Sequence, residues 1–371
     1  MRARRWVTLA AWCMSMYLWR YHIQELAETA RLFSTFKTAL RHQPSLIHPY
    51  PAPDAFLSKS ATSLSVQSPT PPIHVPRIIH QIALGNANLT KHAQAIQSCR
   101  EAHPDWQHVL WTDETATEFL AANYPDILPH WLSYFQDIQR ANILRYAVLH
   151  TFGGVYLDLD VTCLISLDET DIVTLPWVTP AAFPAGINNA FIATQPGHPL
   201  LTQVLAHVPS HNLRWTLPLR IPYVENMLST GCLYISLEWF RYVKDLAKKG
   251  ENVSEAEKVY ILGDQELNVD PHMLRGKIIT PLFAHGGASS WHSWDAAVAI
   301  FLSRHYVLVG TLVVGCLALA HGVAAALRSG LLGKHIGTGV RGRHGASGRT
   351  GMDRASRVPW RAKSMPYYSA V

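Results

Sequence analysis

No Cys-x-x-Cys pair occurs in this 371-residue chain; Cys13, Cys99, Cys163, Cys232 and Cys316 are scattered. That spacing suggests no zinc site. Cys13 and Cys316 lie in apolar segments, and the other three cannot all pair with one another. Charge is also sparse, at 16%. Residues 1–20 have no acid and carry Arg2, Arg4, Arg5 and Arg20, for +4. Residues 328–371 set nine Lys and Arg against Asp353 alone, for +8. With the whole chain at +6, the body between these ends is left at −6. The basic character belongs to the ends, so the body offers no nucleic-acid surface. The N-terminal apolar run lacks a convincing small-x-small cleavage site. That favours a signal anchor over a cleaved signal peptide or a soluble amphipathic helix.

What is present is core material, 48% apolar and 10% aromatic, enough for one large domain or two small ones. The first apolar run, 6–19, would reach roughly 21 Å as a helix, short of the roughly 30 Å of a hydrocarbon core, and Arg20 could lengthen it by snorkelling. Residues 24–40 continue as a helical stem, and 43–76 are rich in Pro and Ser and read as a linker. A second apolar stretch covers 296–327, and its uninterrupted part, 306–327, is long enough to span. Beyond it the composition collapses into Gly, Arg and Ser, a disordered tail. Positive charge at both ends places both on the cytoplasmic side and residues 24–300 in a lumen. The sequons Asn88-Leu89-Thr90 and Asn252-Val253-Ser254 fall in that segment. The expected organisation is therefore a cytoplasmic end and signal-anchor helix (1–23), a stem and linker (24–74), a lumenal domain (75–295), a transmembrane helix (296–328) and a basic cytoplasmic tail (329–371).

Inside the body, 75–82 reads as a short β-branched strand, 89–103 as a helix ending before Pro104, and 108–111 as a second strand. Strand–helix–strand order predicts an α/β domain. The most informative stretch is Phe152-Gly153-Gly154-Val155-Tyr156-Leu157-Asp158-Leu159-Asp160. Strand alternation predicts that Asp158 and Asp160 point the same way at a strand's C-terminal end. Same-side carboxylates repel, and a divalent cation relieves them; hard oxygen ligands suit Mg²⁺ or Mn²⁺. The preceding segment, 137–149, predicts a helix whose apolar stripe is Ala141, Leu144, Val148 and Phe152. Asn142 and Arg145, three apart, share a face, and the helix aims Arg145 at whatever the aspartates hold.

Together, Arg77-Ile78-Ile79-His80-Gln81, Arg140-Ala141-Asn142-Ile143-Leu144-Arg145-Tyr146 and 153–160 resemble the sugar-binding region of glycosyltransferase family 32. The stretches 188–199, Ser229-Thr230-Gly231 and 285–292 sharpen the likeness, toward the branch of fungal mannosyl inositol-phosphorylceramide synthases. The resemblance implies a GT-A-like nucleotide-diphospho-sugar transferase domain; the N-terminal signal anchor and C-terminal transmembrane helix read from the apolar runs flank it. It implies Mn²⁺ or Mg²⁺ and GDP-mannose as donor. Asp160 would ligate the metal directly. Asp158 would contact the donor sugar or ribose and reach the metal directly or through water. Arg145 would meet the donor sugar or diphosphate, and Asn189 would orient donor or acceptor. His80 and Gln81 would lie by the nucleotide base, with Asn142 and Tyr156 also on the donor. Relatives often have a Trp shortly after the Gln, where this chain runs Ile82-Ala83-Leu84-Gly85, and usually an Asp where it has Asn142. A third metal ligand would come from late in the chain, His292 first and His285 second, and Trp291 would cover the donor on a glycine-hinged loop.

The implied reaction is mannose transfer with retention to an inositol-phosphorylceramide-type lipid headgroup, in the Golgi or ER lumen. Partners would be a sugar nucleotide, a lipid acceptor, a membrane and an accessory membrane subunit. Two other readings stand beside it. One is a mannosyltransferase acting on a protein-linked glycan or a secreted amphiphilic metabolite. The other is a non-catalytic membrane sugar-binding protein.

Overall fold

The computed structural model describes residues 2–42, 47–49, 74–182, 185–212, 221–263, 278–286 and 294–328. The chain divides into two compact units, before and after the Ser303–Arg304 link. In order, the elements of the first are α1 (Arg2–His42), β1 (Ile47–Pro49), β2 (Ile78–Ile82), α2 (Leu89–Ala102), β3 (Gln107–Trp111), α3 (Asp113–Asn123), α4 (Leu128–Ser133), α5 (Asp137–Phe152), β4 (Gly154–Leu157), β5 (Val161–Cys163), β6 (Trp177–Pro180), β7 (Phe191–Thr194), α6 (Pro199–His211), α7 (Pro222–Ser229), α8 (Cys232–Lys249), β8 (Tyr260–Gly263), β9 (Ile278–Ile279), β10 (Phe283–His285) and α9 (Trp294–Arg304). The second holds α10 (Tyr306–Arg328).

The expected α/β class holds. A mixed seven-stranded sheet runs β1-β8-β6-β7-β4-β2-β3. Its neighbours are parallel except around β7, which runs antiparallel to β4 and to β6. Strand alternation divides the core. Val155, Leu157, Phe191 and Ala193 join one apolar cluster, while Tyr156 and Ile192 join the other, with the large helices. A small second sheet, β5-β10-β9, stands beyond the end of β4.

Helix α5 lies at the centre, and its burial differs from the single stripe expected. Nine residues, Gln139 and Asn142 to Leu149, are buried, while Phe152 at the predicted stripe's end is 40% exposed. A helix packed between a sheet and other helices buries more than one face, so the polar Asn142 and Arg145 are enclosed too.

Helix α1 joins stem to body. Leu32, Phe36 and Leu40, four apart, are at most 2% exposed, and the Phe36 ring meets Trp239 of α8 at 5.6 Å between centroids. Burying side chains of this size stabilises by about 1.5–3 kcal/mol each. Glu25 accepts from His211 at 2.9 Å and from Arg241 at 2.8 Å. Arg241 also donates to Glu28 at 2.7 Å and to Glu238 at 2.5 Å, and His207 lies 2.8 Å from Glu238. The stretch read as stem and linker thus supplies core side chains from α1 and, through β1 pairing with β8, an edge strand. Most of that linker lies outside the described residues.

Cys99 of α2 and Cys163 of β5 form a disulfide that closes a separation of 64 residues. Loop-closure entropy for such a loop is worth roughly 4 kcal/mol. Changing both cysteines to serine is expected to lower the melting temperature by about 10 °C, measured by calorimetry. An unchanged midpoint would show that the bond adds nothing to the fold.

The second apolar stretch forms two helices rather than one, because the chain breaks at His305 between α9 and α10. Among the described residues one helix is long and apolar enough to cross a membrane; its window is Leu308–Ala325.

Candidate active site

The site is built from a tight turn. Helix α5 ends at Gly153, where φ is 64°, and Gly154 follows with φ 90°. A Cβ on Gly154 would lie 2.5 Å from the Ile78 carbonyl oxygen, so only glycine lets β4 approach β2 here. His80 braces the turn. Its Nε2 donates to the Gly153 carbonyl at 3.0 Å, and its Nδ1 accepts from Trp111 Nε1 at 3.2 Å. Burial lowers its pKa to about 4, which keeps the ring neutral.

Strand β4 stops at Leu157, before the two acids. Asp158 N donates to the Ala190 carbonyl, and Val161 N returns to the Asp158 carbonyl, closing a turn. The two carboxylates do converge, as expected, but through this turn and not through strand alternation. Pairing of β10 with β5 sets His285 opposite Val161, and Gly286 N donates to the Asp160 carbonyl at 2.8 Å. His285 Nε2 then lies 3.5 Å from Asp160 Oδ1. Ligand atoms of Asp158, Asp160 and His285 all fall within 4.8 Å of one another.

That donor set fits one divalent cation. The two carboxylates suit a hard divalent cation, and His285 adds one imidazole nitrogen. His285 Nδ1 is a buried nitrogen with no hydrogen-bond partner. Burial first, and the neighbouring Asp160 charge after it, raise the Asp158 carboxyl above its ordinary value against the pull of Arg145. A bound cation would relieve that cost.

Arg145, 2% exposed, is fixed on several sides. Its Nη1 donates to Asp158 Oδ1 at 3.2 Å and to the Asn189 carbonyl at 2.6 Å, and its guanidinium stacks 4.3 Å from the centre of the Tyr156 ring. Tyr156 donates its hydroxyl to the same Asp158 Oδ1 at 2.7 Å. Both bonds fall on one oxygen, so they restrain the orientation of the Asp158 carboxylate. Tyr156→Phe removes one of these two restraints. It is expected to lower kcat for donor turnover about tenfold, the worth of one hydrogen bond to a charged group, with the fold intact. A wild-type kcat would remove Tyr156 from the machinery.

Beside Arg145 runs a neutral hydrogen-bond network. Asn142 Oδ1 accepts from Asn189 Nδ2 at 3.1 Å, and Asn142 Nδ2 donates to Asn226 Oδ1 at 2.9 Å and Thr230 Oγ1 at 3.2 Å. Asn189 Nδ2 also donates to the Tyr146 hydroxyl at 3.0 Å, and that hydroxyl donates to the Thr230 carbonyl at 2.9 Å. The Cys232 thiol, pushed up to about 11 by burial, donates to Asn189 Oδ1 at 2.8 Å. Asn142 is thus satisfied as an amide. An aspartate in its place could not donate to Asn226 or Thr230.

Of the residues expected at the site, the structure brings together Asp158, Asp160, His285, Arg145, Tyr156, Asn142 and Asn189. His80 stands behind them with both ring nitrogens committed. Gln81, 5% exposed, keeps a buried Nε2 with no protein partner, so it is the member of that pair with a donor to spare. Trp291 and His292 lie outside the described residues. Tyr146 and Thr230 stand in stretches that carry the resemblance but had no role assigned to them, and Asn226 and Cys232 lie outside those stretches.

A mixed α/β sheet ending in paired acids, backed by a buried arginine, defines a DXD-type sugar-binding site. Residues 90–175 match the family model described as the glycosyltransferase sugar-binding region containing DXD motif. The chain is 33% identical over 235 residues to inositol phosphoceramide mannosyltransferase 3 of Schizosaccharomyces pombe, covering 63% of this chain and 60% of that one. It is 31% identical to inositol phosphoceramide mannosyltransferase 1 of the same yeast, covering 67% and 72%. Mannosyl phosphorylinositol ceramide synthase CSH1 of Saccharomyces cerevisiae is 32% identical, with 64% and 58% covered. The chain belongs to glycosyltransferase family 32, alongside these fungal proteins. It spans about 60% of the length of the first of them. Among solved structures it is similar to the PaToxG glycosyltransferase, at 14% identity and a TM-score of 0.36 over 61% of this chain and 83% of that one.

Proposed function

We propose that this protein is a membrane-tethered, metal-dependent, retaining mannosyltransferase of GT-A-like fold. It moves mannose from GDP-mannose to an inositol-phosphorylceramide-type headgroup in the Golgi or ER lumen. The observation that carries the reading is the Asp158–Asp160–His285 cluster set against the buried Arg145. The membrane-facing parts of the reading are supported by the apolar α10, by the positive charge flanking it, and by the exposure of both sequon asparagines, Asn88 and Asn252. The Cys99–Cys163 bond suits an oxidising lumen. An N-terminal signal anchor within α1 and an accessory membrane subunit belong to the same proposal.

Asp158, Asp160 and His285 would hold a divalent ion, which would supply Lewis-acid neutralisation of the departing diphosphate. The chain's own residues do the rest. Tyr156 and Arg145 fix the rotamer of Asp158, so the carboxylate pair needs little reorganisation. Gln81 offers its unpartnered donor to the nucleotide side. Asn189, locked by Asn142, Tyr146 and Cys232, sets the backbone carbonyl that holds Arg145. In the transfer, the bond from mannose C1 to the phosphate oxygen breaks, and the acceptor oxygen bonds C1 on the same face. The acceptor's proton passes to the departing phosphate oxygen.

The test is a lipid profile of cells with and without the gene. Loss of the mannosylated sphingolipid with build-up of its unmannosylated precursor is expected. An unchanged sphingolipid profile with an altered protein-linked mannan would favour the glycan acceptor instead. Donor binding by calorimetry without turnover would leave the non-catalytic sugar-binding reading.

A further inference from the structure

Helix α9 carries an apolar face that the fold leaves outside. Trp294, Val298, Phe301 and Leu302 are 65%, 47%, 56% and 43% exposed. At helical spacing these four cover an arc of about 100°. Ala296, on the opposite side, is 1% exposed, and Asp295, at the edge of the arc beside Leu302, is 3% exposed. Asp295 Oδ2 accepts from Tyr223 N at 2.7 Å, in the first turn of α7. Helix α9 is therefore braced on the element whose Asn226 bonds Asn142.

A single residue, His305, separates α9 from α10. The window Leu308–Ala325 of α10 has no charged residue in its 18 positions. Chain continuity therefore brings α9 to the boundary of any bilayer that α10 enters. Trp294 is of a kind that favours the headgroup level, where a ring is apolar and its tip polar, and Phe301 of a kind found on the apolar face of interfacial helices.

We propose that α9 is an interfacial helix, lying on a lipid surface with Trp294, Val298, Phe301 and Leu302 among the headgroups and upper acyl chains. The partner is the bilayer itself, since that is what the continuous chain supplies at this position. The proposal rests on the reading that α10 spans a membrane, and it deepens the proposed function. A site braced on a helix at the headgroup level meets an amphiphilic acceptor without drawing it out of the bilayer.

The experiment uses the full chain in vesicles of phosphatidylcholine and phosphatidylserine, with Cys13→Ser and Cys316→Ser as background. Spin labels are placed singly at Trp294→Cys, Val298→Cys and Leu302→Cys, and at Lys248→Cys as an exposed control on α8. At the three α9 positions, accessibility to dissolved oxygen should exceed that to a water-soluble nickel chelate, and at Lys248 the order should reverse. Access at the α9 positions equal to that at Lys248 overturns the proposal. So does spin–spin broadening there, which would mean that a second copy covers the face. This reading needs no turnover, so it can succeed where the mannosyl-transfer reading fails. A Val298→Glu, Leu302→Glu variant adds the functional arm. It should raise KM for the vesicle-embedded acceptor roughly tenfold while leaving hydrolysis of GDP-mannose to GDP and mannose unchanged. Loss in both reactions, or in neither, contradicts the proposal.

Discussion

Asp160→Ala is expected to lower mannose transfer by roughly a thousandfold, about 4 kcal/mol of transition-state stabilisation. The substitution takes away one of two carboxylates in a three-ligand cluster and leaves Asp158 and His285 too few to hold an ion against water. The fold should survive. Asp160 sits in a turn, with its side chain 14% exposed, and its bond to Gly286 is made by the backbone. The melting temperature should therefore stay within a few degrees of wild type while turnover collapses. Equal turnover by the variant would remove the metal role from this site.

Arg241→Ala should have the largest effect on stability, about 3–5 kcal/mol, read by denaturant unfolding. Arg241 is the cation shared by Glu25, Glu28 and Glu238, and Glu25 and Glu238 are 5% and 0% exposed. Truncation leaves those buried acids short of their counter-charge. Burial alone would favour their neutral forms, yet His211 and Arg241 hold Glu25, and His207, Gln203 and Arg241 hold Glu238, below the ordinary value of 4.5. Carboxyls depressed in the folded state stabilise it above their unfolded pKa, and that stability is lost as pH falls through the folded value. The wild type should therefore lose stability in acid below about pH 4.5, and the variant should lose less. His207 acts in the opposite sense. Its bond to Glu238 raises its pKa above 6.5, so its contribution is complete below 6.5 and fades as pH rises through the raised value. A wild-type midpoint in Arg241→Ala would mean that α1 is held by its apolar face alone.

The residues that could be read from sequence were those whose chemistry is local. Asp158 and Asp160 are two positions apart and follow a Gly-Gly turn, so their convergence was visible, although a turn and not a strand delivers it. Arg145, one helix earlier, was legible by the same adjacency. His285 and His292 could not be ranked by spacing, because what brings His285 to Asp160 is the pairing of β10 with β5, separated by more than a hundred residues. The neutral network was hidden for a similar reason. Asn142, Asn189, Asn226 and Cys232 arrive from four places in the chain, and no period or motif in the sequence joins them. The docking of α1 had a local trace in the spacing of Leu32, Phe36 and Leu40. The partner face on α8 lies some two hundred residues away, so the run read only as a helical stem.

If Asp158, Asp160 and His285 hold a cation for mannose transfer to a lipid headgroup, transfer must depend on that cation. The most direct measurement follows radiolabelled mannose from GDP-mannose into vesicle-embedded inositol phosphorylceramide, using the full chain with Mn²⁺, with chelator, and with chelator followed by Mn²⁺. Labelled lipid should form with the ion, vanish with the chelator and return when the ion is restored. Label that enters lipid equally well under chelation, or donor that is consumed while no lipid is labelled, would contradict it.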